Sequence, residues 1–175
     1  MPLPVAESKF IDFRTPECFL SEVNSLKPTV HLAASAVISG SIYLSTKSAT
    51  VSAVSFLCGI LIDVDHVLDY VREYGFRADI REFLRVFYTS RFRKVVLLFH
   101  AWELVAGLFI VSWLTGWNEV LLGLGIGTFH HLLLDQFGNG MRPLGYFLGF
   151  RILKRFTIVK IIREEVLRRK QARLF

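Results

Sequence analysis

Four apolar stretches, over residues 30–45, 49–64, 95–114 and 119–137, each carry histidine or carboxylate side chains near one end, and this pattern limits what the chain can become more than any other feature. An ionised side chain near the centre of a bilayer costs about 2.5–3.5 kcal/mol, and a buried one in a soluble core costs as much unless it is paired. The first two stretches fall short of the ~20 residues that usually cross a bilayer, so a buried helical hairpin in a soluble protein is one way to read them. They are also rich in Ala, Ser and Gly, and small residues such as Gly40, Ser41, Ser52, Ser55 and Gly59 let membrane helices pack closely. Composition favours the membrane. Hydrophobic residues make up 53% of the 175 residues, sixteen of them Phe. A mean hydropathy of +0.45 goes with that content, which exceeds the roughly 45–50% of a soluble domain.

Loop charge then predicts a topology, because Lys and Arg in short loops mark the cytoplasmic side. Between the second and third stretches stand Arg72, Arg77, Arg81, Arg85, Arg91, Arg93 and Lys94, and a second basic block runs from Arg142 through Arg151 to Arg173. The other two connections hold only Lys47. Both termini and the central loop are therefore expected in the cytoplasm, with tight turns near Lys47 and at Thr115-Gly116-Trp117-Asn118 on the far side. A net charge of +6 fits anionic lipid surfaces better than nucleic acid, since the basic residues alternate with apolar segments. Cys18 and Cys58 have neither disulfide nor zinc-knuckle spacing, and the first twenty residues lack the apolar core of a signal peptide.

Shorter elements follow from helical periodicity. Thr15-Pro16-Glu17 reads as a helix start followed by Phe19, Leu20, Val23 and Leu26, and Ile80, Phe83, Leu84 and Phe87 lie opposite Arg77, Arg81 and Arg85. In the tail, Ile152, Phe156, Val159, Ile162 and Val166 form a stripe against a basic face. The expected fold is all-α: a polytopic membrane protein with a four-helix transmembrane bundle and amphipathic interfacial helices. Its parts are a cytoplasmic N-terminal segment with a surface helix (1–29), a membrane domain (30–137) including a loop helix at 76–89, and a basic amphipathic segment (138–175).

The chemistry-bearing residues fall into four groups, which an up-down-up-down arrangement brings to the same cytoplasmic end. They are His31; Asp63, Asp65, His66 and Asp69; His100 and Glu103; and His130, His131 and Asp135. Asp65 and Asp69, His66 and Asp69, His100 and Glu103, and His131 and Asp135 are three or four apart and so share helix faces. Carboxylate and His pairs on facing helices build metal sites in bundles. We take His31, Asp65, His66, Asp69, His100, His131 and Asp135 as the ligand set for one or two divalent ions; mixed His and Asp ligation suits zinc, manganese or ferrous iron. Glu103 reads as a ligand or a general base, Asp63 as an outer carboxylate or a ligand at a frayed helix end, and His130 as an outer partner or a core residue. Ion pairing with the loop arginines is the alternative. The segment 138–144 reads as a tight turn beside the site; Arg142, Arg91 and Arg93 could hold an anionic headgroup or merely anchor the loops, and Trp102, Trp113 and Trp117 suit interface or packing roles.

The order His31, then Asp63-Val64-Asp65-His66, then His131 with Asp135, then the turn from Gly138 to Pro143, resembles the membrane-bound metal-dependent hydrolase family, inner-membrane proteins also described as LexA-binding. The resemblance spans 31–143. The chain departs from that family's pattern at Ile62, where a Pro is usual, and at Phe99-His100-Ala101-Trp102-Glu103. In ligand style the family is similar to zinc-dependent phospholipases C. The resemblance implies an integral protein of a bacterial or archaeal cytoplasmic membrane that hydrolyses a phosphoester or lipid-like substrate, with Glu103 or Asp63 taking a proton from metal-activated water. A non-catalytic metal-binding or adaptor protein, an ion path and a di-iron oxidoreductase are the competing classes. The ion path fits least well, because the far halves of the stretches carry only Ser, Thr, Tyr43 and Trp113 as polar or amphipathic groups.

Overall fold

A computed structural model describes residues 28–76, 79–89, 92–166 and 168. The expected helix at Thr15 and the basic residues Arg77, Arg91, Arg169, Lys170 and Arg173 lie outside the described residues. The described residues form helices and no strands, their only β-type pairing being the isolated bridges Lys94 to Thr157 and Met141 to Ile162. The helices are α1 (Pro28–Thr46), α2 (Ala49–Leu61), α3 (Val64–Tyr74), α4 (Ile80–Thr89), α5 (Trp102–Leu114), α6 (Glu119–Gly138), α7 (Leu148–Leu153) and α8 (Ile158–Ile161).

The bundle is built on α2, which packs against α6 and α1, while α5 packs against α6. Small residues set the spacing. A Cβ on Gly127 would stand 2.7 Å from both Cys58 Cβ and the Ser55 carbonyl, so α6 can approach α2 only with glycine there. Ser55 and Ser35 are fully buried on the inner faces of α2 and α1. The turns fall where the loop composition put them. Lys47 (φ 58°), Gly116 (φ 72°) and Trp117 (φ 63°) reverse the chain in the left-handed region. Ser48 caps α2 through the Val51 amide, and Asn118 caps α6 through the amides of Val120 and Leu121.

Among the described residues two helices are long and apolar enough to cross a membrane: Ala49–Tyr74, counted through the turn at its centre (26 residues), and Glu119–Gly138 (20 residues); Trp102–Leu114 is a shorter apolar helix. Large apolar side chains cover the outside of the bundle, among them Val37, Leu44, Leu57, Ile110 and Leu114.

Three boundaries differ from the sequence expectation. The second stretch does not stop at Val64; it turns at Ile62 and Asp63 and continues as α3. The third stretch is not helical from residue 95, because α5 starts at Trp102 and residues 92–101 run as an irregular, half-buried segment with amides taken by carboxylates of α3. The tail is not one amphipathic surface helix. Arg155 (φ 54°) and Phe156 (φ 57°) break it into α7 and α8. Ile158, Ile161 and Ile162 then join Tyr70, Val86, Phe92, Val95, Leu97 and Tyr146 in a core beside the end of the bundle. The loop helix forms as α4, and its Val86 is buried in that core with Phe83 packed against it.

Candidate metal centre

At this end of the bundle His31 stands on the first turn of α1, Asp63 in the turn between α2 and α3, His100 just before α5, and His131 and Asp135 one turn apart on α6. Antiparallel helices carry their first and last turns to the same level, and the distances confirm the meeting. Asp63 Oδ1 is 3.4 Å from His100 Nε2 and 3.4 Å from His131 Nε2. Asp135 Oδ2 is 3.5 Å from His100 Nε2 and 3.6 Å from His131 Nε2, and its Oδ1 is 3.2 Å from His31 Nε2. The rings of His31 and His131 stack with centroids 4.1 Å apart. These atoms form two groups able to hold an ion, Asp63 with His100 and His131, and His31 with His131 and Asp135.

The donor set fits a divalent ion. Donors about 2.1 Å from a tetrahedral ion stand about 3.4 Å from one another, which is the spacing around Asp63. The Nε2 atoms of His100 and His131 are buried and have no hydrogen-bond partner, a costly state for a polar atom that nothing satisfies. Their opposite nitrogens are engaged: His100 Nδ1 meets Asp65 Oδ2 at 3.2 Å, and His131 Nδ1 meets the Gly59 carbonyl at 2.7 Å. A proton on each Nδ1 leaves the Nε2 lone pair directed into the space shared with Asp63 and Asp135. A carboxylate or carbonyl behind each imidazole is how metal-binding histidines are usually held. Among the described residues no Lys or Arg pairs with Asp63 or Asp135, so the loop arginines do not neutralise them; only Asp69 has one, Arg72 at 3.8 Å.

Several sequence assignments change. His100 and Glu103 do not share a helix face, because His100 precedes α5. Glu103 is exposed and accepts the Leu148 and Gly149 amides at 2.9 Å each, capping α7, and it stands outside the two groups able to hold an ion. Asp69 turns away from the centre to accept the amides of Val96 (2.7 Å) and Leu97 (3.2 Å). Asp65 accepts the Phe99 and His100 amides as well as the His100 ring, all on one oxygen, so it orients the His100 imidazole and stands outside the two groups able to hold an ion. Asp63 moves the other way, from an outer carboxylate to the centre. His66 stands at the rim, 3.7 Å from Asp63 Oδ1. His130 is a core residue: Nε2 meets Ser35 Oγ and Nδ1 the Ile126 carbonyl, both at 2.9 Å.

Three groups had no sequence signal pointing to this site. The Gly59 carbonyl holds His131. Tyr146, wholly buried, stacks 6.4 Å from His100; burial raises its hydroxyl well above the ordinary range, with Asp135 acting the same way. Arg151, read from sequence as one more positive-inside charge, is buried completely. Burial lowers the pKa of its guanidinium, with the charge of Glu103 acting the other way.

Comparison with known proteins finds no family model, no curated protein and no solved structure that matches this chain. By its own fold and site the described part of the chain is all-helical, with two helices long and apolar enough to cross a membrane and a buried His/Asp cluster that could hold a metal ion.

Proposed function

We propose that this chain is a membrane-embedded, metal-dependent hydrolase acting on a phosphoester or lipid-like substrate at the cytoplasmic face. In this reading α1, α2, α5 and α6 form the bilayer-crossing bundle, with α3 beyond it on the cytoplasmic side and both termini inside, as the loop charges suggest. The observation that carries the reading is the pair of buried, unpartnered Nε2 atoms of His100 and His131, each 3.4 Å from Asp63 Oδ1.

Asp63, His100 and His131 hold one ion, with zinc the first choice and manganese or iron close behind. His131 has a single free nitrogen, so a second ion would rely on His31 and on Asp135, whose two oxygens face different histidines. A bound divalent ion would supply a coordinated water of lowered pKa and polarise the substrate oxygen. The chain's own part is to present the ligand atoms, exclude water from the inner side and leave one side open. Asp63 is that side: its side chain is 39% exposed, against 0% for His100 and His131. With Glu103 occupied at α7, the free oxygen of Asp63 and the neighbouring His66 are the groups placed to accept a proton from water.

The test is elemental analysis of the detergent-purified protein beside Asp63→Ala and His131→Ala at matched helicity. The reading expects about one or two transition-metal ions per chain in the parent and loss of metal in both variants. Hydrolysis of phospholipid-like esters that disappears with the metal would complete it. A parent that takes up no metal, with folded variants behaving identically, sinks the proposal.

A further inference from the structure

The irregular segment ahead of α5 carries a ligand yet has no helix of its own to hold it in place. Its Leu97 is a buried, bulky residue at φ 46°, a conformation that persists only where the surroundings impose it. The amide edge of the segment faces α3, where Asp69 takes Val96 and Leu97 and Asp65 takes Phe99 and His100. The carbonyl edge faces α7. There Arg151 Nη1 donates to the Val96 and Leu97 carbonyls at 2.6 and 2.7 Å, and Nη2 donates to the His100 carbonyl at 2.7 Å. Leu97 is thus gripped on both sides, by Asp69 at its amide and by Arg151 at its carbonyl.

Resting on the metal-centre reading above, we infer that Arg151 is the positioning residue of that centre: its planar guanidinium fastens the carbonyls of Val96, Leu97 and His100 so that the His100 imidazole is held toward Asp63 before any ion arrives. The chemistry of the side chain supports this. A guanidinium offers donors in a rigid fork that can meet three carbonyls at once, whereas an ammonium is a point charge on a flexible stem. Among the described residues Arg151 forms no salt bridge with a carboxylate; burial of such a cation also calls for a reason, and the three carbonyls around the segment provide it. The fixing is indirect, because Arg151 touches the backbone of His100 and not its ring.

The experiment uses the full chain in detergent, with Arg151→Lys as the main variant, Arg151→Gln as the second and the exposed Arg168→Gln as control. Cobalt(II) serves as probe, read by chelator competition and by its visible absorption. The expected result is a cobalt dissociation constant raised about 10–100-fold in both Arg151 variants, the range seen when outer partners of metal ligands are lost. An altered ligand-field spectrum should accompany it, since a merely structural loss would lower the melting temperature and leave the spectrum alone; Arg168→Gln should match the parent. A folded Arg151→Lys with the parent's affinity and spectrum overturns the inference, however far its melting temperature falls. Hydrogen exchange on the metal-free parent needs no variant: protected amides at residues 96, 97, 99 and 100 support a segment fixed in advance, and exchange as fast as in a free loop overturns it. A parent that binds no cobalt removes the metal centre itself, an outcome distinct from a parent that binds and an Arg151 variant that binds equally well.

Discussion

Replacing Asp65 by Asn tests the role of the groups behind the ligands with almost no change in shape. In the parent, one carboxylate oxygen accepts the Phe99 amide, the His100 amide at 3.2 Å and His100 Nδ1 at 3.2 Å. An amide oxygen can still occupy that place, so no cavity forms, but the charge is gone. Hydrogen bonds to a charged group contribute about 1.5–3 kcal/mol and neutral ones about 0.5–1.5, so the three bonds together lose about 3–4.5 kcal/mol. Relief from burying a carboxylate returns part of this, and the expected fall in metal-free stability is about 1–2 kcal/mol. The larger effect is on the ion. Without its carboxylate partner the His100 imidazole is less basic and less well aimed, which costs about 10–100-fold in affinity. A hundredfold loss removes about 2.7 kcal/mol of metal-linked stability at fixed metal concentration. The assay pairs chelator competition with melting in the presence and absence of metal: the parent should gain more from metal than Asp65→Asn does. If Asp65→Asn keeps the parent's dissociation constant within about twofold, while Asp63→Ala loses metal, then Asp65 does not tune His100 and the reasoning about outer partners is wrong.

Gly59→Ala should destabilise the bundle by about 2–4 kcal/mol, through overpacking and a strained buried hydrogen bond, because the new Cβ would stand 2.5 Å from both Ser35 Oγ and His130 Nε2; chemical denaturation in detergent measures it, and a change under about 0.5 kcal/mol would contradict the packing. Glu103→Gln should weaken the start of α7 by about 1 kcal/mol and leave the metal content at the parent's level, since Glu103 meets the Leu148 and Gly149 amides and not the ligands; loss of metal on elemental analysis would return Glu103 to the centre. Leu57→Lys places a charge on the exposed face of α2 and should cost about 2.5–3.5 kcal/mol on insertion if that face meets lipid. The readout is the membrane-inserted fraction, and an unchanged fraction would mean that the face meets water.

The parts of this protein legible in its sequence are those with local signatures. Residues three or four apart share a helix face, so His131 and Asp135 could be paired, and the apolar stretches beginning at residues 49 and 119 marked the starts of α2 and α6 closely. Loop charges and short far-side turns at Lys47 and Gly116-Trp117 implied an arrangement that brings His31, Asp63, His100 and His131 to one end, as observed. Tertiary structure decided the rest, because it turns on pairings between distant groups that leave no periodic trace. Apolar composition alone made 95–101 look helical, yet Asp65 and Asp69 drew its amides into hydrogen bonds across about thirty residues of chain and left His100 outside α5. The basic stripe of the tail looked like a surface helix until left-handed Arg155 and Phe156 folded Ile158, Ile161 and Ile162 into the core. The same fold drew Arg151 beneath the His100 segment, assigned Glu103 to a cap and left Asp63 at the centre. Sequence determined which residues could bind a metal ion, because that is a property of side-chain type; which of them face one another depends on where buried backbone groups find their partners, and only the folded chain sets that.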